Sequence, residues 1–248
     1  MSLDAVLVSL RDPDDPMAAH ELHCFERFTG LPLRVVQATA GALGEAELEA
    51  DLLLFGGSGA YSVLDPHDWV RKMLDFLVVV AERGVPAWGS CFGYQGLALA
   101  LGGRVVRDDG LARLGAYEVD RSAAAAEDPV FGVLPERFRT QFGHHDHVVE
   151  LPSGVSLLAE SPSPLAEGPP RFEAFRVDGS RFWAAQFHPE LTSELTLSRF
   201  EHYKDHYDHD AYDQVVERIA GWKDTGEVQR LLPAMVELAR EVKTRRKG

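Results

Sequence analysis

Cysteine is scarce in this sequence, and long apolar runs are missing. Only Cys24 and Cys91 occur among 248 residues, which is too few for a disulfide framework. The N-terminal residues show no basic segment followed by a long apolar run, and no stretch approaches the roughly 20 apolar residues that span a bilayer. We therefore expect no signal peptide, no membrane association and a reducing, cytoplasmic location with both thiols free.

Positively charged residues are also relatively few. Asp and Glu outnumber Lys and Arg by 39 to 25, which gives a formal net charge of −14. Such a surface repels phosphate backbones, so we expect no nucleic-acid partner. The one basic cluster, at residues 243–247, is expected to be a solvated, frayed tail. Apolar residues make up 45% of the chain, enough to fill the core of one large α/β domain.

Short apolar runs alternate with helix-like segments in the first half. The pattern predicts strands at residues 5–9, 33–36, 51–55 and 85–88, and helices at residues 16–28, 69–80 and 94–101. The second half reads as richer in strands, predicted at residues 116–119, 138–142, 155–159, 172–177 and 182–187. This alternation predicts an α/β fold with a mixed, mostly parallel sheet covered by helices on both faces. Ligands of such sheets bind at the carboxyl ends of the strands.

The pattern changes at about residue 208. Two amphipathic helical segments follow, with apolar residues on one face of each: Tyr212, Val215, Val216, Ile219 and Trp222, then Val228, Leu231, Leu232, Met235 and Val242. We predict a main domain of residues 1–207 and a helical C-terminal extension of residues 208–248. These apolar faces can pack on the chain's own domain or on a partner, and the sequence leaves both open.

The sharpest chemical signal is the pentapeptide GSCFG at residues 89–93, between a predicted strand and a predicted helix. A nucleophile elbow has this pattern, because so tight a turn requires small flanking residues and strains the nucleophile's backbone. Cys91 would then lie at a helix N-terminus, where the dipole favours thiolate over thiol. The N–H of Phe92 would point to a forming oxyanion. A buried structural cysteine between two glycines is the alternative.

A thiolate nucleophile requires a base, and the base requires a group that orients it. His188 follows the predicted strand 182–187, and Glu190 lies two residues further on. Pro189 fixes the backbone between them, which can let the carboxylate turn back to the imidazole. Taken alone, this segment would be read as an ordinary surface turn, and only its combination with Cys91 suggests a catalytic triad.

These motifs together resemble the class I glutamine amidotransferases, most of all free-standing members similar to the amidotransferase part of GMP synthase. The nucleophile stretch is VPAWGSCFGYQ at residues 85–95, and QFHPE at residues 186–190 matches the family's His-Pro-Glu signature. LFGGSG at residues 54–59 matches its oxyanion turn, and HHD at residues 144–146 resembles its His-Gly-Asp segment. The match covers residues 4–206 in the family's order, and it implies a flavodoxin-like amidotransferase fold.

The resemblance also implies roles for particular residues. Cys91 would attack the side-chain amide of glutamine, His188 would pass a proton to the leaving ammonia, and Glu190 would orient His188. The N–H groups of Gly57 and Phe92 would hold the oxyanion. Gln95 would line the glutamine pocket, and the backbone at His145 and Asp146 would meet the amino-acid end of the substrate.

Two positions depart from the family's pattern. Ser90 stands where an apolar residue is usual, and His145 stands where a glycine is common. A bulky side chain at residue 145 could narrow the pocket or change its preference. A γ-glutamyl peptidase or hydrolase that uses the same triad is therefore an alternative to a glutaminase, and a non-catalytic binding module is a third hypothesis.

No cofactor or metal is expected. The sequence has no Walker-type P-loop and no GxGxxG motif, so we expect any nucleotide chemistry on another chain, such as an ammonia-accepting synthase partner. His202 and His206 are four residues apart, but an HExxH site would require Glu where Tyr203 stands. We favour a solvated helix end for this segment, and a packing role for Cys24.

Overall fold

A computed structural model describes residues 2–163, 170–203, 209–221 and 224–247. Within these ranges a nine-stranded sheet has the order β2-β1-β3-β4-β11-β10-β9-β6-β7, and β5 pairs separately with β8. The strands are β1 (Ala5–Ser9), β2 (Arg34–Gln37), β3 (Leu52–Phe55), β4 (Ala87–Ser90), β5 (Arg104–Arg107), β6 (Arg113–Arg121), β7 (Arg137–His144), β8 (Asp146–Glu150), β9 (Val155–Ser161), β10 (Arg171–Val177) and β11 (Phe182–Ala185). The helices are α1 (Pro16–Thr29), α2 (Asp68–Arg83), α3 (Phe92–Ala100), α4 (Ser193–His202), α5 (His209–Ala220) and α6 (Leu231–Lys247).

The sheet is mixed, and its parallel half carries the predicted site. Strands β1 to β4 and β11 pair in parallel, whereas β10, β9, β6 and β7 are antiparallel. Alternate residues of β1 enter different cores: Val6 and Val8 pack on the side of α2 and α3, and Ala5 and Leu7 on the side of α1 and α6. Burial on both faces explains why these strands are continuously apolar.

Local signals fix the two ends of α1, which was predicted at residues 16–28. Asp15 precedes α1 and its side chain accepts a hydrogen bond from the N–H of Met17, while Pro16 occupies the first turn. The helix ends at Gly30, which has a φ of 67°. In the described part of the chain, no helix combines the length and apolarity needed to cross a bilayer. The cytoplasmic location stays a prediction.

Several predicted boundaries were wrong. Strand β11 ends at Ala185, two residues earlier than predicted. Beyond it the chain leaves β10, and the N–H of His188 bonds to the carbonyl of Gln141 in β7. Strands β5 and β8 were not predicted. In the part of the chain that the structure describes, they form a separate two-stranded sheet. Neither has the continuous apolar run that marks a central strand.

The two C-terminal helices pack on this chain. The apolar side chains of α6, including Leu232 and Met235, lie in the same core as β1 and α1. Helix α5 packs on α4 and β6 through Val215 and Ile219. Both C-terminal helices therefore pack on other elements of this chain. Trp222 lies outside the described residues. The predicted domain boundary at residues 207/208 stays a prediction.

The expectation of a frayed basic tail was wrong in part. Helix α6 continues to residue 247, and the ammonium of Lys243 lies 2.5 Å from a carboxylate oxygen of Asp51. Lys243 also donates to the carbonyl of Ser2 at 2.9 Å. These contacts fix this part of the helix to the start of the chain.

Candidate active site

Cys91 lies in a strained turn between β4 and α3. Its φ is 50° and its ψ is −98°, and it is the one non-glycine residue with positive φ among the residues that the structure describes. The flanking glycines are required by packing: a Cβ on Gly89 would lie 2.9 Å from the carbonyl carbon of Gly93, and one on Gly93 would lie 2.8 Å from Cβ of Phe55. This is the geometry predicted for a nucleophile elbow.

The structure brings His188 and Glu190 to this turn. Nδ1 of His188 lies 2.6 Å from Oε1 of Glu190, and both side chains are buried. Nδ1 of His188 is taken by this carboxylate, which leaves Nε2 available to Cys91. Cys91 and His188 lie side by side, since a Cβ on Gly57 would be within 4 Å of both side chains. Sulfur, imidazole and carboxylate follow one another in the order that a nucleophile, its base and an orienting group would require.

The buried pair of His188 and Glu190 favours charge on both partners. Burial alone would lower the pKa of His188, but the charge of Glu190 and the hydrogen bonds with Cys91 and Glu190 raise that pKa to about 9. Burial alone would raise the pKa of Glu190, but the charge of His188 and the hydrogen bond between them lower it below its usual value. At neutral pH His188 is thus an imidazolium beside a carboxylate.

Ser90, a departure from the family's pattern, supports this pair. Its hydroxyl donates to Oε2 of Glu190 at 3.0 Å and accepts from Nε1 of Trp88 at 2.8 Å. Both oxygens of the Glu190 carboxylate are therefore held, one by His188 and one by Ser90. Sequence reasoning missed this role because residues 90 and 190 meet only through the parallel pairing of β4 with β11.

The predicted substrate-binding residues form one wall of a pocket beside Cys91. Nε2 of Gln95 donates to the carbonyl of Asp146 at 2.9 Å and to Oε1 of Gln186 at 3.2 Å. The other end of the Gln186 amide, Nε2, lies 3.6 Å from the Cys91 sulfur. The sequence motif QFHPE includes Gln186 but predicted no role for it. Its contact with the Cys91 sulfur makes Gln186 a further candidate residue of the site.

Asp146 presents a buried carboxylate to the same pocket. Its Oδ2 accepts from the Ser62 hydroxyl at 2.5 Å, whereas its Oδ1 has no hydrogen-bond partner among the described residues. An unpaired buried carboxylate oxygen is costly unless a ligand satisfies it. The side chain, and not only the backbone, of Asp146 is therefore suited to a substrate ammonium group.

His145 lies at the rim of the pocket. Its Nδ1 is 2.9 Å from Oδ1 of Asp109, and its side chain is 38% exposed. The imidazole is thus tied to a neighbouring loop, and it is not buried beside Cys91.

The N–H groups of Phe92 and Gly57, which are proposed to hold the oxyanion, differ in their hydrogen bonding. Phe92 begins α3, so its N–H has no acceptor within the helix. Gly57 lies beside the reacting groups, since a Cβ on it would be 3.2 Å from Cε1 of His188 and 3.8 Å from Cβ of Cys91. Its N–H, however, donates to Oε1 of Glu21 at 2.9 Å. In this conformation the N–H of Gly57 is engaged away from the sulfur, and its oxyanion role stays a prediction.

The second cysteine is in a different environment. Cys24 is fully buried on α1 with Leu191 and Leu195, and burial raises the pKa of its thiol to about 12. As for metals, no three His, Cys, Asp or Glu side chains in the described ranges converge closely enough to hold an ion. His202 is exposed at the end of α4, and His206 lies outside the described residues.

Comparison with known proteins identifies the family. The model of the glutamine amidotransferase class-I family matches residues 21–201, and the chain belongs to this family. One of the subunits of the glutamine-hydrolysing GMP synthase from Saccharolobus solfataricus is 31% identical over 145 residues, which make up 57% of this chain and 68% of that protein. The GMP synthase of Teredinibacter turnerae is 37% identical over 138 residues, 50% of this chain but only 23% of that protein.

A solved structure confirms the predicted fold class. A glutamine amidotransferase from Thermotoga maritima superposes with a TM-score of 0.73, covering 96% of this chain and 100% of that one. At 19% identity the likeness concerns the fold alone.

Proposed function

We propose that this chain hydrolyses the side-chain amide of glutamine to glutamate and ammonia through a Cys91 thiolate. The observation that carries the proposal is the position of Cys91: it is strained at the start of α3, lies beside His188, and lines a pocket of about 640 Å³. The carboxylate of Glu190 lies 2.6 Å from Nδ1 of His188. Membership of the class I glutamine amidotransferases supports the same reaction.

The proposed reaction has two halves. The sulfur of Cys91 attacks the amide carbon of glutamine, and the resulting oxyanion is held by the N–H of Phe92 and, once it is free, that of Gly57. His188 gives its proton to the leaving nitrogen, so that ammonia departs and a thioester remains. Water then attacks the thioester while His188 accepts a proton, which releases glutamate and restores the thiolate–imidazolium pair.

The substrate is proposed to lie between two groups. Its amide end would reach Cys91, and its ammonium group would pair with the unsatisfied Oδ1 of Asp146. Gln95 holds the Asp146 backbone in place, and His145 closes the rim. Asp146→Asn should therefore raise KM for glutamine more than it lowers kcat.

A second candidate function is hydrolysis of γ-glutamyl peptides or conjugates by the same residues. The pocket of about 640 Å³ is in the range of about 300–1,000 Å³ that holds ligands much larger than an amino acid. Strand β6 and helices α4 and α5 contribute apolar side chains to its wall, namely Leu114, Phe200, Val215 and Ile219, next to the polar Thr196 and Arg199. Such a wall could receive a bulky group attached to the γ-carbonyl.

One assay separates these functions. The purified protein is incubated with glutamine and with γ-glutamyl dipeptides, and glutamate, ammonia and the released amine are measured, with Cys91→Ala as the blank. A higher kcat/KM for glutamine supports the first function, and a higher value for the dipeptides supports the second. Absence of Cys91-dependent turnover with every substrate would leave only a binding role.

The ammonia is proposed to pass to a synthase on another chain. The relative from Saccharolobus solfataricus is by name one of the subunits of a GMP synthase, which supports such an arrangement. Co-purification of this chain with a synthase, and glutamine-dependent product formation by the pair, would test it.

A further inference from the structure

The turn at residues 56–59 is hydrogen-bonded to the buried carboxylate of Glu21. Oε1 of Glu21 accepts the N–H of Gly57 at 2.9 Å, and the Glu21 side chain is fully buried. A Cβ on Gly56 would overlap with the same carboxylate, so the two glycines lie directly against it. A carboxylate acceptor makes a stronger hydrogen bond with a backbone N–H than a neutral acceptor does.

Arg11 compensates the buried charge. Its Nε is 3.6 Å from Oε1 of Glu21, and its Nη1 bonds to Asp15 at 3.2 Å and to the Tyr203 hydroxyl at 2.8 Å. The Tyr203 hydroxyl in turn packs against Gly59, where a Cβ would lie only 2.6 Å away. Glu21 and Tyr203 thus contact both ends of the turn, and neither residue belongs to the triad.

The N–H of Gly57 is turned away from the position that the proposed reaction assigns to it. Gly57 is already adjacent to Cys91 and His188, but its N–H points to Glu21. Because residues 56 and 57 are both glycine, their peptide can rotate without a Cβ clash within the turn itself. The rotation would also break the hydrogen bond of 3.3 Å from the N–H of Gly93 to the carbonyl of Gly56. The Oε2 of Glu21 has no partner among the described residues, so a single hydrogen bond ties this carboxylate to the turn.

We propose that Glu21 is a positioning residue that holds the N–H of Gly57 away from the reacting sulfur, so that turnover requires this hydrogen bond to break. The inference rests on the proposed hydrolysis at Cys91. In the resting state Phe92 supplies the only ready backbone donor of the two, and a missing oxyanion donor typically lowers kcat by about 10²- to 10³-fold. A partner or a substrate that releases Gly57 from Glu21 would raise the rate.

The first test weakens the bond without removing its acceptor. Glu21→Gln keeps the shape but offers a neutral oxygen, so kcat for glutamine should rise about three- to tenfold with little change in KM. The matched control is Asp15→Asn, which also removes a carboxylate facing Arg11, still caps α1 and does not touch Gly57. Its kcat should equal that of the wild type.

Alkylation of Cys91 by iodoacetamide distinguishes this role from a structural one. Alkylation forms no oxyanion, so its rate should be the same in wild type and Glu21→Gln while turnover differs. Equal or lower turnover in a Glu21→Gln protein that alkylates normally would overturn the inference and leave the proposed hydrolysis intact. Absence of turnover in both proteins would overturn the proposed hydrolysis and the inference with it.

A measurement on the wild type covers the case in which Glu21→Gln does not fold. An aldehyde analogue of glutamine adds to Cys91 and places an oxyanion-like oxygen in the site. With ¹⁵N-labelled glycine, the amide resonance of Gly57 should shift when the adduct forms, as its N–H leaves Glu21. An adduct that leaves this resonance unchanged would refute the inference, and failure to form any adduct would count against Cys91 as the nucleophile.

Discussion

Replacement of Ser90 by alanine would remove one oxygen from the centre of the proposed active site. That hydroxyl joins Nε1 of Trp88, at 2.8 Å, to Oε2 of Glu190, at 3.0 Å. All three side chains are buried, so water cannot replace the lost partner without rearrangement. The change would leave the indole N–H of Trp88 without this acceptor and would remove the hydrogen bond to Oε2 of Glu190.

The size of the effect follows from these contacts. A hydrogen bond to a charged group contributes about 1.5–3 kcal/mol, and a buried donor left unsatisfied costs about 1–3 kcal/mol. We expect Ser90→Ala to lower the free energy of unfolding by about 2–4 kcal/mol, and Tm by about 5–15 °C. A less firmly held Glu190 orients His188 less well, so kcat should fall about tenfold, or about 1.4 kcal/mol in the barrier.

Thermal unfolding and the ammonia-release assay measure both effects. Ser9→Ala is the matched control, because the Ser9 hydroxyl is buried but has no hydrogen-bond partner in the described part of the chain. It should change Tm and kcat little. KM should stay constant in Ser90→Ala, since Ser90 is not part of the pocket wall. A Ser90→Ala protein that matches wild type in Tm and kcat would refute the role assigned to this hydroxyl.

Four further predictions concern the two cysteines, the pair of His188 and Glu190, and the core. Cys91→Ala should abolish labelling by diazo-oxo-norleucine while Cys24→Ala retains it, as mass spectrometry can show, because burial raises the pKa of Cys24 to about 12. Since the pKa of His188 is raised to about 9, the stability it contributes should be full below the usual histidine pKa of about 6.5 and lost as pH rises through about 9. Glu190→Gln should lower the pKa of His188, as an NMR titration can measure. It should also reduce kcat less than His188→Ala does. Met235→Ala should lower the free energy of unfolding by about 2–5 kcal/mol, because Met235 is fully buried in the core shared with β1; unchanged denaturant unfolding would contradict this.

The local features of the site were readable in the sequence. The elbow around Cys91 depends on neighbours in the chain, since glycine at residues 89 and 93 is required by a turn of a few residues. Apolar strands and helix caps are also local, which is why the α/β class and most elements of the parallel half could be predicted. The family's motifs placed His188 and Glu190 together, and the structure brings them to Cys91.

Tertiary structure decided the contacts that join distant segments. Ser90 reaches Glu190 because β4 and β11 are neighbours in the sheet, and Glu21 reaches Gly57 because α1 packs behind the turn that follows β3. The sequence could not decide that α6 packs on the chain's own core. An amphipathic helix has the same apolar face whether its own domain or a partner covers it. A hydrogen bond across 36 or 100 residues leaves no periodicity in the sequence. Only the folded chain shows which polar groups meet.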